Sequence, residues 1–363
     1  MDTLAKRTTL FALVVSLLVS VCVFALPQQE AHAAGTPTAT QQQVWKETFA
    51  KFKWADTGLE EWNGVVAGVQ PANGTGTAAD PYLVSNANEL RWCLVNQKNC
   101  KLVADIDLGG KSSKNWNSIS INQPMTFDGD GHTIYNLYSQ GSTAGIFGLI
   151  GAANNASFAT KNVNMEGAFI KCDATGGYDH YVASFISKFN AGSVDNCVVR
   201  NVYVNAGEGT MNGASGLFAP DNSGGTGITI TNTHAINVNV YGGGCVSGFI
   251  EGPWGRAASL TMENCSATDG VVISTGGHSG GFTSCVEVTG TASYKNCFIN
   301  DDVYGNVQTG VFVGVTHAGT HIFNNCYAAG KIEGINTIGG FFGCPSGSAR
   351  EEFNNCYSTS MVG

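Results

Sequence analysis

Two carboxylates and an imidazole lie close together in the segment "DGDGHT", at Asp128, Asp130 and His132. Carbohydrate-active enzymes use such groups, either as a pair of carboxylates across the scissile bond or as calcium ligands beside a basic residue. The neighbours Phe127 and Ile134 fit core positions, and glycines among aspartates are typical of a tight turn between strands. We therefore predict a structural turn here and no catalytic residue.

Two further patterns could hold a metal ion. Asp105 and Asp107 alternate with apolar residues, which predicts the outward face of a half-buried strand, with a weak calcium site as the alternative. His317 and His321 have the spacing of a zinc pair, but "HAGTH" lacks a metallopeptidase glutamate and lies in a glycine-rich β context. The sequence therefore predicts no metal site and no cofactor.

These side chains must be positioned by a repeat that runs through most of the chain. An asparagine enters a β-rich run at intervals of 29 to 36 residues, at Asn162, Asn196, Asn232, Asn264, Asn296, Asn325 and Asn355. Such a period indicates a stacked architecture, because one unit cannot bury its apolar face alone. We expect each asparagine amide to hydrogen-bond the turn backbone and its neighbour in the next unit, rather than a ligand.

A second series, a glycine beside an aromatic residue, falls between the members of the first. Its members are Phe147, Phe185, Phe218, Phe249, Phe282, Phe312 and Phe342. Two interleaved series with one period predict an all-β solenoid, a parallel β-helix in which the phenylalanines stack inside the coil.

Any ligand surface should lie where the coils are longest, because insertions into a repeat map to loops and often to the binding face. Aromatic and charged side chains that suit sugar rings and hydroxyls occur in two such loops: Tyr178, Asp179, His180 and Tyr181 in "GGYDHY", and Trp254 and Arg256 in "EGPWGRAA". The alternative is that these rings pack against neighbouring turns.

Cysteines follow the repeated asparagine in several units, at Cys197, Cys265, Cys297, Cys326 and Cys356. Stacked side chains point in parallel directions, which suits a disulfide poorly, so we predict mainly buried thiols acting as small core residues. Eleven cysteines remain once Cys22 of the leader is removed, so at least one is free or pairs with another chain. Cys93 and Cys100 flank a turn, and a local disulfide between them is as consistent with the sequence as two thiols.

The start of the chain predicts export. Lys6 and Arg7 precede an apolar run from Leu10 to Leu26, and small residues favour cleavage after Ala33, as in a secretory signal peptide. An uncleaved membrane anchor is the alternative, because the run is long. We expect a protein that is secreted or attached to the cell surface, with no membrane insertion after cleavage.

The composition argues against several classes of partner. The net charge is −9 and no basic block occurs, which disfavours nucleic acid and anionic membranes. Only 12% of the residues are charged and they are not clustered, so few groups could serve as general acids or bases.

Four regions are predicted: a signal peptide at 1–33, a linker and lead-in segment at 34–61, an N-terminal cap with the first coil at 62–140, and repeats at 141–363. In the third region, a strand is followed by a helix capped near Ser85 or Asn86 with Glu89 behind it, and then by a second strand. Such a strand-helix-strand unit would cover the open end of the first coil. The chain stops in the middle of a repeat at Gly363, which predicts a truncated piece of a longer protein.

The stretches "DPYLVSNANEL", "KLVADIDLGG" and "TFDGDGHTIYNLYSQGSTAGIFGLIG" resemble the start of bacterial surface proteins that carry GLUG-type repeats. They are also similar to the non-catalytic β-helix region of immunoglobulin-A metallopeptidases and, more distantly, to the pectate-lyase-like superfamily. The similarity runs from Trp62 to the last residue and is most specific from Asp105 to Gly151. It implies a right-handed β-helix on an exported, often wall-attached protein with adhesive or unassigned roles.

The sequence thus predicts a non-catalytic, adhesin-like surface scaffold that binds glycans or surface proteins of host or neighbouring cells. Two alternatives stay open. A polysaccharide lyase or glycoside hydrolase of the same architecture would need titratable groups clustered on one face. A fragment of a surface metallopeptidase would need an active domain beyond Gly363.

Overall fold

Parallel strands stacked on one another make up most of the computed structural model, which describes residues 36–141, 146–172, 181–208, 213–219, 226–252 and 257–363. Successive coils pair strand by strand, and the pairings are parallel. The predicted all-β parallel β-helix is therefore confirmed. Its right-handedness stays a prediction, and residues 1–33, the predicted leader, lie outside the described residues.

One sheet carries the strand that precedes the repeated asparagine in each coil. Within the described residues it has 11 strands, in spatial order Tyr82–Val84, Cys100–Leu102, Thr126–Asp128, Ala159–Lys161, Gly192–Asp195, Ile228–Thr231, Leu260–Glu263, Thr283–Lys295, Val313–Asn324 and Phe342–Pro345, with Arg350–Asn354 also paired to Val313–Asn324.

A second sheet carries the strand that follows the asparagine. Of the part of the chain that the structure describes, 14 strands belong to it: Ala214–Ser215, Val246–Ser247, His278–Gly280, Phe298–Gly310, Ser266–Ser274, His234–Gly242, Val198–Asn205, Asn164–Cys172, Thr133–Gly141 and Ile106–Asp107 in spatial order, then Tyr327–Ala329, Lys331–Gly339, Tyr357–Ser358 and Met361–Val362.

Short strands close the early coils on a third side. Ile146–Phe147 pairs with Tyr181–Val182, and a separate sheet joins Ile119–Ile121, Ile150–Ala153 and Ile186–Phe189. The helical segments among the described residues are α1 (Ala39–Lys51), α2 (Ala87–Val95) and a 3₁₀ turn at Ser112–Lys114.

The repeated asparagines form a ladder at the corner between the two large sheets. Each has a left-handed backbone, with φ between 48° and 55°, a region that asparagine tolerates better than most residues. The side-chain amide of Asn296 donates to Oδ1 of Asn264 at 3.0 Å, and that of Asn325 donates to Asn296 at 3.1 Å. The predicted hydrogen bonding between neighbouring units is confirmed. Asn232 departs from the pattern by donating to Asp195.

Phenylalanine rings make a continuous column inside the coils. Ring centroids of consecutive members lie 4.6 to 5.9 Å apart along Phe185, Phe218, Phe249, Phe282, Phe312 and Phe341. The predicted series was wrong at both ends. Phe312 stacks on Phe341 rather than Phe342, and the pairing of Ile150 with Ile186 places Leu149, not Phe147, beside Phe185. Glycines flank these residues in most coils, so the motif alone did not define the register.

The thiols behind the asparagine ladder are buried in the core. Cys265, Cys297 and Cys326 each donate to the carbonyl oxygen two residues earlier, at 3.4 to 3.5 Å. The hydroxyl of Thr233 makes the same bond to Thr231 at 2.8 Å, which explains how threonine replaces cysteine in one coil. Burial raises the pKa of the Cys197 thiol to about 12, so this thiol stays protonated at neutral pH.

Helix α1 packs along the outer face of the second sheet. Trp45 stacks on Tyr203 and Tyr241, with ring centroids at 4.1 and 4.9 Å. The side-chain amide of Gln41 donates to the carbonyl oxygen of Ser274 at 3.0 Å. Thr38 caps the helix in a capping box with Gln41. The segment predicted as a linker and lead-in is therefore part of the folded body from residue 36 onwards.

The strand-helix-strand unit is also present. Asn86 caps α2 by accepting from the backbone N–H of Glu89 at 3.1 Å, and the Glu89 carboxylate accepts from the backbone N–H of Ser85 at 2.7 Å. The strand Tyr82–Val84 lies at one end of the first sheet. Closure of the core by this unit stays a prediction.

The asparagine ladder can be tested at Asn296, whose φ is 53°. Asn296→Gly removes the amide but keeps the left-handed backbone accessible, and should cost about 1 kcal/mol of unfolding free energy. Asn296→Ala also strains the backbone and should cost about 1–2 kcal/mol more. Urea unfolding of both variants measures the difference, and equal losses would contradict a left-handed requirement.

The buried thiols can be tested by chemical labelling at mildly alkaline pH. A thiol reagent should leave Cys265, Cys297 and Cys326 unmodified in the native protein, because burial keeps them from solvent. After unfolding without reductant, most cysteines should react. A titration that detects one thiol or none in the unfolded, unreduced chain would show that disulfides replace the thiols.

Candidate functional site

The two predicted ligand loops lie almost entirely outside the described residues. These are Tyr178, Asp179 and His180 of the first loop, and Trp254 and Arg256 of the second. Tyr181 is described and begins the short strand Tyr181–Val182, where the ammonium group of Lys188 lies 4.7 Å from its ring centroid. A cation over a ring occupies a face that a sugar could otherwise contact. The ligand role of these loops stays a prediction.

Cys93 and Cys100 are both buried and lie beside each other. The hydrogen bond to Cys93 and burial raise the pKa of the Cys100 thiol well above its ordinary value. A disulfide between them stays a prediction.

The "DGDGHT" turn is held by ion pairs and hydrogen bonds. Lys161 lies 3.2 Å from the Asp128 carboxylate, which also accepts from the Asn162 amide at 2.9 Å. Partial burial alone would raise the pKa of Asp128, but the hydrogen bonds outweigh it and the pKa is lowered. Lys101 pairs with Asp130 at 3.0 Å. Both carboxylates of the turn are therefore paired with lysines.

The sequence predicted Asp107 on the outward face of a half-buried strand, but the structure shows that this side chain is buried. The side chain is only 4% exposed, because residues of the lead-in segment lie over it. Its carboxylate accepts from the Asn136 amide at 3.1 Å, the Thr57 hydroxyl at 2.5 Å and the Gly109 backbone N–H at 2.8 Å. This network joins the lead-in segment to the first coil.

The two histidines of "HAGTH" point to different places. His321 is buried, and its Nε2 donates to the carbonyl oxygen of Ala318 at 2.8 Å. Burial lowers the pKa of His321 and favours its neutral form. His317 lies instead beside His278, with ring centroids 5.8 Å apart.

A polar groove lies where the C-terminal end of α1 meets the second sheet. It encloses about 280 Å³ and is lined by Thr48, Lys51, Phe52, Lys53, Asn201, Asn237, Asn239, Asp269 and Val271. On the helix side it carries two exposed lysines, and on the sheet side it carries amides and a carboxylate. We call this feature the α1 groove.

The sheet side of the α1 groove is built by a second column of left-handed residues. Asn201, Asn237 and Asp269 have φ values of 55°, 53° and 63°. The amide of Asn237 donates to Oδ1 of Asn201 at 2.9 Å, and the amide of Asn201 donates to Glu166 at 3.0 Å. The column therefore presents polar groups one coil apart on an open surface.

The helix side of the groove adds one aromatic ring, that of Phe52, which packs on further rings behind it. The Phe52 ring lies 6.0 Å from Phe169 and 4.9 Å from Trp54. Phe169 in turn stacks between Tyr138 and Tyr203, with centroids at 5.6 and 5.3 Å. Amides, charges and aromatic rings together can contact hydroxyl groups and the apolar faces of sugar rings.

Sequence reasoning did not find this groove, although one signal was available. The column residues come five positions after the repeated asparagine, as in Asn196 to Asn201 and Asn232 to Asn237. The lysines lie at the end of α1 and just after it, more than 100 residues away in the chain, and only the packing of α1 brings them to the column.

No family model matches this chain. Halomucin of Haloquadratum walsbyi (strain DSM 16790 / HBSQ001) is 32% identical over 107 residues, which is 27% of this chain. The chain spans about 1% of the length of that curated relative.

Two solved structures are also similar. A proposed immunoglobulin A1 protease from Bacteroides ovatus has a TM-score of 0.48 at 17% identity, covering 80% of each chain. The L. reuteri 53608 SRRP has a TM-score of 0.32 at 14% identity, covering 77% of this chain and 99% of that one. Neither likeness is close enough to assign a function. Among the described residues, no helix is both long and apolar enough to cross a membrane.

Asp301 lies behind the column of the α1 groove and is only 2% exposed. Its carboxylate accepts from the backbone N–H of Gly270 at 2.8 Å. Burial raises its pKa from 3.8 to about 7, and the nearby carboxylates of Asp269 and Asp302 add to the increase.

Asp301 should therefore make stability depend on pH. Between its unfolded pKa of 3.8 and its folded pKa of about 7, the unfolded chain binds fewer protons, so stability falls as pH rises through this window. Asp301→Asn should remove the loss, which amounts to at most about 4 kcal/mol. Urea unfolding across the window should show an advantage of the variant that grows with pH and then levels off. A constant difference would contradict the raised pKa.

Proposed function

We propose that this protein is a non-catalytic repeat scaffold, secreted or held at the cell surface, that binds glycans through the α1 groove. The observation that carries the proposal is the groove itself, where the amides of Asn201 and Asn237 lie opposite Lys51 and Lys53 on an open face. The fold and the composition support the role as a repeat scaffold, and the groove supports glycans as the ligand.

The arrangement of donors and acceptors favours a glycan. An amide both donates and accepts, as each sugar hydroxyl does, and neighbouring coils repeat the amide at the strand spacing of about 4.8 Å. A linear glycan lying along the column would meet the amides of Asn201 and Asn237 on successive coils and then the carboxylate of Asp269. The lysines add attraction for acidic sugars, since a partly exposed ammonium group pairs with carboxylate or sulfate at modest cost in desolvation.

A protein partner fits the groove less well. Protein interfaces of ordinary stability bury about 800 Å² on each side and centre on apolar anchors. The α1 groove is small and mainly polar, and its aromatic residue Phe52 is half-buried against the fold. We therefore favour adhesion through the surface sugars of a host or neighbouring cell over adhesion through a protein partner.

The proposal is tested by glycan-array screening of the chain from Ala34 onwards, followed by titration of the best ligand. Asn237→Gly removes an amide and Lys53→Ala removes a cation from the groove. Each should weaken binding by about three- to tenfold, the equivalent of one net hydrogen bond of roughly 0.5–1.5 kcal/mol. Asn264→Gly is the matched control, because Asn264 has a φ of 55°, close to the 53° of Asn237, and belongs to the corner ladder.

Three results would contradict the proposal. They are an array without any bound glycan, equal losses in Asn237→Gly and Asn264→Gly, and turnover of an acidic polysaccharide by the wild-type chain. The variants Tyr178→Ala and Trp254→Ala test whether the glycan binds to the predicted loops rather than to the α1 groove. Loss of binding in these two variants with full binding in Asn237→Gly would move the site to the loops.

A further inference from the structure

A cluster of nitrogen and sulfur ligands lies on another part of the solenoid. His278, Cys285 and His317 each offer one ligand atom, and these atoms all lie within 4.8 Å of one another. Cys285 is 1% exposed, whereas both histidines are half-buried. The cluster therefore has a dry inner side and an opening to solvent.

The backbone is irregular at both histidines. Strand Thr283–Lys295 pairs with Val313–Asn324, but the register shifts after Val286 and Thr316, so that His317 has no partner residue across the ladder. A second shift in the pairing falls directly after His278. Such bulges turn a side chain away from its regular direction and are over-represented next to functional sites. Here the bulge at His317 lies beside the cluster, whereas the extra residue at the second shift is Gln308, on the strand that pairs with the His278 strand.

One nitrogen of the cluster is not satisfied by the fold alone. Nδ1 of His278 is buried and has no hydrogen-bond partner within the described structure. Buried polar atoms in native proteins nearly always have a partner, so an atom such as this indicates a ligand, an ion or a water.

A second thiol adjoins the cluster. Sγ of Cys245 lies 2.7 Å from Sγ of Cys285, and Val315 packs against both. The pairing of Val246 with Ser279 also places Cys245 next to His278 in the neighbouring coil. Cys245 is thus positioned to add a second sulfur to the same centre.

We propose that His278, Cys285 and His317 bind a borderline-soft divalent transition-metal ion such as Zn²⁺, with Cys245 as the fourth ligand. Two imidazoles and two thiolates are a donor set that Zn²⁺ prefers in four-coordinate structural sites. Bonds of about 2.0–2.3 Å would place the ligand atoms about 3.3–3.8 Å apart in a tetrahedron. To reach this geometry, the three ligand atoms that lie within 4.8 Å would move slightly closer and the two sulfurs, now 2.7 Å apart, would separate.

The ion would join successive coils of the solenoid. Cys245 belongs to one coil, His278 and Cys285 to the next, and His317 to the one after that. Solenoid stability depends mainly on contacts between neighbouring repeats, so a bond that crosses two interfaces resists their separation. Binding to the folded state alone raises stability by mass action.

The test uses the chain from Ala34 onwards, reduced, stripped with EDTA and titrated with Zn²⁺ against a chromophoric chelator. Wild type should bind one Zn²⁺ per chain and unfold at a higher temperature when loaded. His278→Ala and His317→Ala should each weaken binding by more than about 100-fold, since even loss of an outer-shell partner costs about 10–100-fold. With Co²⁺ as the probe, wild type should show thiolate-to-metal charge-transfer absorption that Cys285→Ser reduces.

His132→Ala is the matched control, because His132 is a partly exposed histidine paired with Asp105 and remote in sequence from the cluster. It should bind Zn²⁺ as wild type does. Cys245→Ser prevents any disulfide to Cys285 and should keep the Co²⁺ absorption with weaker affinity.

The proposal is overturned if neither wild type nor Cys245→Ser binds Zn²⁺ stoichiometrically, or if the histidine variants bind as tightly as His132→Ala. It is also overturned if unreduced peptides of the exported protein show Cys245 joined to Cys285, because a disulfide removes both thiolates.

Discussion

In-register parallel stacking is the constraint on which this structure depends. Each coil satisfies its backbone N–H and C=O groups with the coils on either side, so a residue at one position faces its counterpart about 4.8 Å away. Only side chains that tolerate a copy of themselves can recur in such a column. Amides hydrogen-bond each other, rings stack and thiols pack as small apolar groups, whereas a column of like charges would repel. Charges on neighbouring coils alternate instead, as Glu263 and Lys295 do at 2.6 Å.

The same constraint places distinctive chemistry where the pattern breaks. A regular column presents one residue type, but a bulge or a left-handed residue inside a strand redirects a side chain. The column from Asn201 to Asp269 forms one wall of the α1 groove. Register shifts lie beside His278 and His317 of the nitrogen and sulfur cluster. Both sites are thus local departures from a fold that is otherwise uniform.

The lead-in segment covers one outer face of the solenoid. An aromatic row that includes Phe169, Tyr203 and Tyr241 would otherwise expose a large apolar strip, which soluble proteins rarely leave uncovered. Trp45 of α1 covers this row. Covering the strip also sets Lys51 and Lys53 beside the polar column, so one packing event both protects the fold and builds the groove.

The sequence by itself determined the solenoid, because a period shared by Asn162 through Asn355 and by the phenylalanines can be satisfied only by stacking. It also determined the asparagine ladder and a helix capped near Ser85 or Asn86, since both depend on contacts between residues at fixed spacing. Tertiary structure alone decided the exact register, which replaced Phe342 by Phe341, and the docking of α1 on the second sheet. It alone also brought His278, Cys285 and His317 together. Contacts between coils depend on small shifts in strand pairing. The repeat motif fits two neighbouring residues equally well, so no local sequence pattern specifies those contacts.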